Sequence, residues 1–450
     1  MNQNDNKKNK KRLSVLLVSD FFYPRVGGVE VHIYQLACSL LRLGVKVTVL
    51  THHQKDRQGI KYMGNGIKVY YRPTVSLHDD TAVPIFFGAM KYFREVCIKE
   101  EVDIVHCHQA SSVTTLECII HGRTLGLRTV LTDHSLFGFG QHAEVSLNKV
   151  MRNIFIDLDQ AISVSNIARD NFVIRSMFHP KDVHVIPNGI DFTKFGPNPE
   201  KHKKKDIITI VSISRMAYRK GSDLLIEVIP EICKTHPNVR FIIGGDGPKK
   251  PLIEAMVEGT ELSDKVKFTG KLMHSEVRNV LMKGDIFLNT SLTESFCIAI
   301  AEAASVGLYI VATDVGGVGE VLPNNIVKLV SCTKKSIVSG LNEAIKDIEN
   351  FKNKKDDFSK NLRDAYNWSK VAHKVLLVYQ RTMNYKDRSI ITRLKKAAGL
   401  GHISSLNQLI IICIDYILLI FLVLFFPSNS IKKDKPFEYE NYKTYLKKLK

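Results

Sequence analysis

Leu13–Val18 is a near-continuous apolar run, the pattern of a strand buried on both faces of a parallel sheet. Gly27-Gly28 follows, and Ile33, Leu36, Ala37, Leu40 and Leu41 then fall on one face of a helix predicted over 29–43. Gly44 supplies the helix stop, and Val45–Leu50 reads as the next strand. The theme recurs at Val102–Val105, Thr129–Leu131 and Ala161–Val164. Between Pro187 and Asp206 prolines, glycines and a lysine cluster mark a linker. The alternation restarts at Ile207–Ile213, Phe241–Ile243, Val266–Phe268, Asp285–Leu288 and Tyr309–Ala312. This predicts an α/β chain of two doubly wound, Rossmann-like domains facing a cleft where the strand carboxyl ends meet.

A different pattern closes the chain. Leu409–Phe426 is apolar except for Asp415 and Tyr416, and Pro427 stops it. As a helix it reaches about 27 Å, close to the ~30 Å hydrocarbon core. A central Asp costs about 2.5–3.5 kcal/mol, but each Leu, Ile, Val or Phe returns about 0.3–0.6. The sum predicts a transmembrane helix with Asp415 turned to a protein partner; a buried helix of a soluble fold is the competing reading. The predicted divisions are a basic tail (1–12), an N-terminal acceptor-side domain (13–195), a linker (196–206) and a sugar-nucleotide domain (207–370). A terminal helix with a basic juxtamembrane stretch (371–408), the membrane helix (409–426) and a basic tail (427–450) follow.

Charge sharpens this picture. The 450 residues carry a formal +19, of which residues 1–12 hold +4 and residues 386–450 hold +7. The 373 residues between them hold only +8, which gives no basic groove and argues against nucleic acid as a partner. Basic ends suit an anionic membrane surface, or are a solvated lysine-rich tail. Eight cysteines without a C-x-x-C pair suit reduced thiols rather than a disulfide scaffold. The run at Leu13–Val18 is too short for a signal sequence, so the catalytic domains are expected in the cytosol, with the triplets at Asn289 and Asn367 unglycosylated.

Glu294 and Glu302 bracket Glu-Ser295-Phe296-Cys-Ile-Ala-Ile-Ala-Glu after a predicted strand. Glu294 is expected in the loop and Glu302 two turns into a helix, about 12 Å apart. They could grip two hydroxyl-bearing ends of a long ligand, with a diphosphate at the helix start; a helix-start Glu and a solvated Glu would read the same way. Arg215 and Lys220 follow the first strand of the second domain, a fork and a point charge suited to two phosphates, or simply a solvated basic turn. Gly245, within Gly244-Gly-Asp-Gly-Pro248, lets backbone approach a ligand.

In the first domain Gly27-Gly28 opens a helix after the first strand, a cradle for a phosphate or sugar. The motif is not G-x-G-x-x-G, so no dinucleotide cofactor is supported. His134 ends another strand as a donor to a sugar or phosphate oxygen, or as a satisfied structural histidine. His106 and His108 share a strand face, but without an evident third ligand no metal is expected.

Together, the segments Ser19–Leu36, Thr132–Phe139, Val185–Asp191, Ser214–Leu225, Phe241–Lys249 and Leu288–Leu308 resemble the retaining glycosyltransferases of family 4, which have the GT-B fold. More narrowly, TDHSLFGF, and YRKG beside LNTSLTE, resemble the phosphatidylinositol N-acetylglucosaminyltransferase subgroup. The resemblance implies transfer of N-acetylglucosamine from UDP-GlcNAc to phosphatidylinositol, the first step of GPI-anchor synthesis. It also implies a single-pass protein of the endoplasmic reticulum membrane, its catalytic domains cytosolic, working with other subunits. By family pattern Arg215 and Lys220 hold the diphosphate, Glu302 the ribose and Glu294 the donor sugar. Ser295, Phe296, Gly27 and Gly245 join the donor site, with Gly28 at the diphosphate and His134 at the sugar. No metal or cofactor is implied; cationic side chains and helix dipoles stabilise the leaving UDP. One departure stands out: Gly319 replaces the usual proline before Glu320. A GT-B sugar-nucleotide epimerase and a membrane scaffold without catalysis are the competing readings. Intact Glu294, Glu302, Arg215 and Lys220 argue against the scaffold, and Leu409–Phe426 against the epimerase.

Overall fold

The computed structural model describes residues 12–25, 27–54, 57–74, 86–138, 142–196, 207–353, 362–385 and 389–433. The basic start, nearly all of the linker and the end of the basic tail lie outside these residues. The chain forms two compact units: 1–163, 169–186 and 372–450 make the first, and 164–168 with 187–371 the second. The division thus falls at Ile186/Pro187 rather than at 195, and the chain rejoins the first unit at Ala372.

The first unit is built on an eight-stranded sheet of order β3-β4-β2-β1-β5-β6-β7-β8. Its strands are β1 (Ser14–Val18), β2 (Lys46–His52), β3 (Gly59–Tyr62), β4 (Lys68–Arg72), β5 (Ile104–His108), β6 (Arg128–Asp133), β7 (Gln160–Ser163) and β8 (Val183–Val185). All neighbours are parallel except the β3–β4 pair. β1 is buried along its whole length, which its apolar run anticipates. β3 is exposed at every residue, so no hydrophobic pattern marks it. Helices α1 (Gly28–Arg42), α2 (Phe86–Lys99), α3 (Val113–Thr124), α4 (His142–Ile154) and α5 (Asn166–Ser176) connect the strands. α1 buries Ile33, Leu36, Ala37, Leu40 and Leu41, the predicted face. Gly44 follows it at φ +83°, where a side chain would be strained.

The second unit carries a six-stranded parallel sheet of order β11-β10-β9-β12-β13-β14. The strands are β9 (Ile208–Ile213), β10 (Val239–Gly244), β11 (Val266–Gly270), β12 (Ile286–Asn289), β13 (Tyr309–Thr313) and β14 (Val327–Val330). Helices α6 (Ser222–Thr235), α7 (Lys250–Val257), α8 (His274–Leu281), α9 (Ile298–Val306) and α10 (Lys334–Asn353) accompany them. In each sheet the winding reverses beside the first strand, between β1 and β5 and between β9 and β12. Doubly wound sheets bind ligands beyond the strand carboxyl ends at such points.

Beyond α10 the chain adds α11 (Trp368–Met383), α12 (Ile390–Ala398) and α13 (His402–Phe425). α13 is long and apolar enough to cross a bilayer, though length and composition alone make that so. Its Gln408, Ile412, Asp415 and Leu422 form one buried stripe, while Ile403, Leu406, Ile410, Ile417, Ile420, Phe421 and Leu424 are exposed. Asp415 is fully buried within its own unit and does not turn to a partner. Its carboxylate accepts hydrogen bonds from His121 Nδ1 at 2.7 Å and from the Thr124 hydroxyl, both on α3. Arg393 of α12 lies beside them and grips Asp157 with two hydrogen bonds of 2.8 and 2.6 Å. It also donates to Thr124 Oγ1 at 2.7 Å, so these buried charges form one connected network. The far end is tied down as well: Arg94 of α2 donates to the Phe426 carbonyl at 2.8 Å and to Ser428 Oγ at 3.0 Å.

Candidate functional site

In the second unit the loops after β9 and β12 are stitched together. Thr290 Oγ1 donates to the carbonyls of Lys220 and Gly221 at 3.0 and 3.1 Å, and Leu292 N–H donates to the Arg219 carbonyl at 2.9 Å. Gly221 sits at φ +67°, and a Cβ there would fall 1.8 Å from the Thr290 carbonyl oxygen. Only glycine permits that approach. The result is that Lys220 Nζ reaches Glu294 Oε1 as an ion pair, and Ser291 Oγ donates to the same oxygen at 2.7 Å. Lys220 and Glu294, expected from the sequence to meet different parts of a ligand, touch each other. Arg215 is exposed and makes no ion pair among the described residues.

Gly245 has a packing role. At φ +126° it lies against Ser214, whose carbonyl oxygen a Cβ would meet at 1.9 Å. Backbone hydrogen bonds from Ser214 N–H to Gly244, and from Met216 N–H to Asp246, join this turn to the Ser214–Lys220 loop. The glycines therefore set the path of the basic loop through backbone contact.

Helix α9 begins at Ile298, after Cys297 at φ +65°. Glu302 accordingly stands one turn into the helix rather than two, and residues 294–297 are loop. Its carboxylate is buried and held by His274 Nε2 at 2.9 Å. Burial and the nearby Glu294 carboxylate push the Cys297 thiol far up, so it stays protonated. Phe296 is buried with its ring edge-on to Tyr366, 5.6 Å between centroids, so its side chain belongs to the core. The Ser295 carbonyl accepts from Ser165 Oγ at 2.7 Å, and Gly317 N–H donates to the Glu294 carbonyl at 2.9 Å. Glu320 accepts from the N–H groups of Asn166 and Ile167 at 2.7 and 2.9 Å. Gly319 leaves that contact intact despite the missing proline.

With this geometry in place, known proteins match the chain on two levels. The Glycosyl transferases group 1 profile matches residues 195–365, and the PIGA (GPI anchor biosynthesis) profile matches 52–141. The chain is 43% identical to a phosphatidylinositol N-acetylglucosaminyltransferase subunit of Arabidopsis thaliana, over 94% of each chain. It is 43% identical to the corresponding subunit of Homo sapiens, over 82% of this chain and 76% of that one. The chain belongs to the PIGA family of phosphatidylinositol N-acetylglucosaminyltransferase subunits. The GT-B fold is shared more widely. Sucrose-phosphate synthase of Thermosynechococcus elongatus superposes with a TM-score of 0.68 at 18% identity, over 83% of this chain and 99% of that one. Anabaena Alr3699/HepE, solved with UDP, gives 0.66 at 16%, over 82% and 100%.

In the first unit of this PIGA-family chain, Gly27 precedes α1, and a Cβ there would lie 2.5 Å from Glu30 Oε2. The helix start thus already carries a carboxylate of its own, whose pKa burial raises, whereas nothing lies within 4 Å of a Cβ on Gly28. Asp20, just beyond β1, accepts from the N–H groups of Thr114 and Val113 at 3.0 and 3.2 Å and occupies the start of α3.

His134 stands beyond β6 with its Nε2 3.2 Å from His108 Nδ1. His32 of α1 joins them, with its ring centroid 4.7 Å from that of His134. One ring nitrogen from each of His32, His108 and His134 lies within 4.8 Å of the other two. Burial and the neighbouring imidazoles depress His108 and His134 well below the usual range. His106 is different: Tyr379 Oη and Thr132 Oγ1 take its two nitrogens at 2.6 and 2.7 Å, and burial lowers its pKa to about 3. The third imidazole, not evident from the sequence, is therefore present, but it joins His108 and His134 and leaves His106 out.

Sequence reasoning missed His32, Asp20, Ser291 and His274. His32 interrupts an apolar stretch of α1 yet is buried, and such a polar residue on a core-facing helix is the signal that could have found it. His274 opens α8 without any motif around it.

Proposed function

We propose that this chain transfers N-acetylglucosamine from UDP-GlcNAc to phosphatidylinositol with retention, the first step of GPI-anchor synthesis, as one subunit of a larger transferase. The observation that carries this reading is the Lys220–Glu294 pair at the β9/β12 reversal, in a chain of this family. Lys220 and Arg215 bind the diphosphate, with the N-terminus of α9 adding its dipole. Glu302, oriented by His274, takes the ribose hydroxyls, and Glu294 takes a hydroxyl of the donor sugar. The chemistry these residues provide is positioning and charge stabilisation. As UDP leaves, the cations meet the growing phosphate charge, and the leaving phosphate accepts the acceptor proton. The exposed apolar flank of α13 holds the protein at the endoplasmic reticulum membrane where its lipid acceptor resides.

The test is incubation of the membrane-bound protein, with its co-purifying subunits, with labelled UDP-GlcNAc and phosphatidylinositol vesicles. Label should move to a lipid bearing an α-linked sugar only when phosphatidylinositol is present. Release of free sugar without lipid would favour the epimerase reading and defeat this one.

A further inference from the structure

We propose that His32, His108 and His134 form a binding site for a divalent transition metal, zinc being the best match, in the first unit. Three imidazoles each bring one ring nitrogen to within 4.8 Å of the other two at the carboxyl edge of the sheet, next to the β1/β5 reversal. His108 comes from the end of β5, His134 from just beyond β6 and His32 from the second turn of α1. No two of them are neighbours in sequence, so the fold itself assembles the cluster.

The geometry fits the chemistry. Zinc–imidazole bonds of about 2.0–2.1 Å place two tetrahedral nitrogen ligands about 3.3 Å apart. His108 Nδ1 and His134 Nε2 lie at 3.2 Å. The third nitrogen lies within 4.8 Å, so a ring swing of roughly 1–1.5 Å would complete a three-histidine set. A nitrogen-only donor set excludes magnesium and calcium, which take oxygen ligands. Three protein ligands also leave a fourth position for water or an anionic oxygen.

A hydrogen-bonded cluster of structural histidines is the alternative, and His106 illustrates what that looks like. Both of its nitrogens have hydroxyl partners. His108 is equally buried, yet its Nδ1 faces another imidazole nitrogen, His134 Nε2, rather than a hydroxyl. Two imidazole nitrogens that face each other share at most one proton, whereas a bound cation accepts a lone pair from both. The site takes His134 from the sugar contact that the resemblance implies, but it uses none of Arg215, Lys220, Glu294 and Glu302 and stands or falls apart from their assignments.

The experiment uses the full chain, purified in detergent without a polyhistidine tag or chelator. Plasma emission should find close to one zinc per chain. After stripping with chelator, titration with Co2+ alone should develop the visible absorption of a low-coordinate Co2+ site, and added Zn2+ should quench it. His108→Ala and His32→Ala should each weaken Co2+ binding more than about 100-fold, beyond the 10–100-fold that loss of an outer-shell partner costs. Circular dichroism of each variant separates a lost ligand from a lost fold, and the wild-type titration stands whether or not a variant folds. No zinc and no cobalt spectrum in the wild type would overturn the proposal. So would a folded His108→Ala variant that binds Co2+ as the wild type does.

Discussion

Asp415 provides the sharpest test of how α13 is held. In a bilayer a lone carboxylate at mid-helix needs a partner, and another polypeptide would be the natural candidate. The structure supplies the partner from within: His121 Nδ1 at 2.7 Å, with the Thr124 hydroxyl on the other oxygen. Asp415→Leu keeps a side chain of similar bulk, so little cavity cost arises, but it orphans the His121 donor. Thr124 retains the Ile120 carbonyl at 3.1 Å and its bond from Arg393. Leaving a buried donor without its acceptor costs about 1–3 kcal/mol. At about 2–4 °C per kcal/mol for a cooperative unit of this size, the melting temperature should fall by about 2–12 °C. Asp415→Asn, which keeps one acceptor oxygen, should fall less. The assay is thermal unfolding of the full chain alone in detergent, followed by intrinsic fluorescence. If Asp415→Leu melts with the wild type and only loses co-purifying subunits, the carboxylate faces a partner and the buried network is not what holds it.

Further outcomes follow from the same geometry. Lys220→Ala should weaken UDP and UDP-GlcNAc alike in calorimetry, because both carry the diphosphate, and unchanged UDP affinity would remove Lys220 from that role. Glu302→Gln should weaken UDP binding, whereas Glu294→Gln should spare UDP and slow transfer about 10- to 150-fold, the equivalent of a charge-assisted hydrogen bond of about 1.5–3 kcal/mol. Comparable loss of UDP affinity in both would erase the distinction. Burial opposes ionisation of Glu100, but hydrogen bonds from Lys68, Tyr70 and Lys46 outweigh it and hold its pKa below the usual 4.5. A lowered folded-state pKa stabilises above about pH 4.5 and fades below it. Glu100→Gln should therefore melt well below the wild type at pH 7, and the gap should close as pH falls below about 4.5.

The two sheets were legible because their inner strands are buried on both sides, so Ser14–Val18 and Ile286–Asn289 read as apolar runs. β3 was not legible, since Gly59–Tyr62 lies exposed at the sheet edge and is held by antiparallel backbone pairing to β4 rather than by burial. The return of the chain to the first unit at Ala372 was equally hidden. It depends on contacts more than 200 residues apart in sequence, such as Tyr379 with His106 and Arg393 with Asp157. No local periodicity records them.

At the candidate site, residue types and their strand-end positions were readable, but the pairings were not. The sequence pattern puts Glu294 in a loop and Glu302 two turns into a helix, and Cys297 at positive φ shortens that to one turn by delaying α9 to Ile298. Glu294 lies in the loop as expected, but its pairing with Lys220 is set by the close approach of Gly221 to Thr290. The two reversals of sheet winding supply the general reason. Each gathers side chains from strands that are adjacent in space but distant in sequence: β9 with β12 for Lys220 and Glu294, β5 with β6 and α1 for the histidines. Chemistry placed at such a point is written in the topology, so a motif names its members only one at a time.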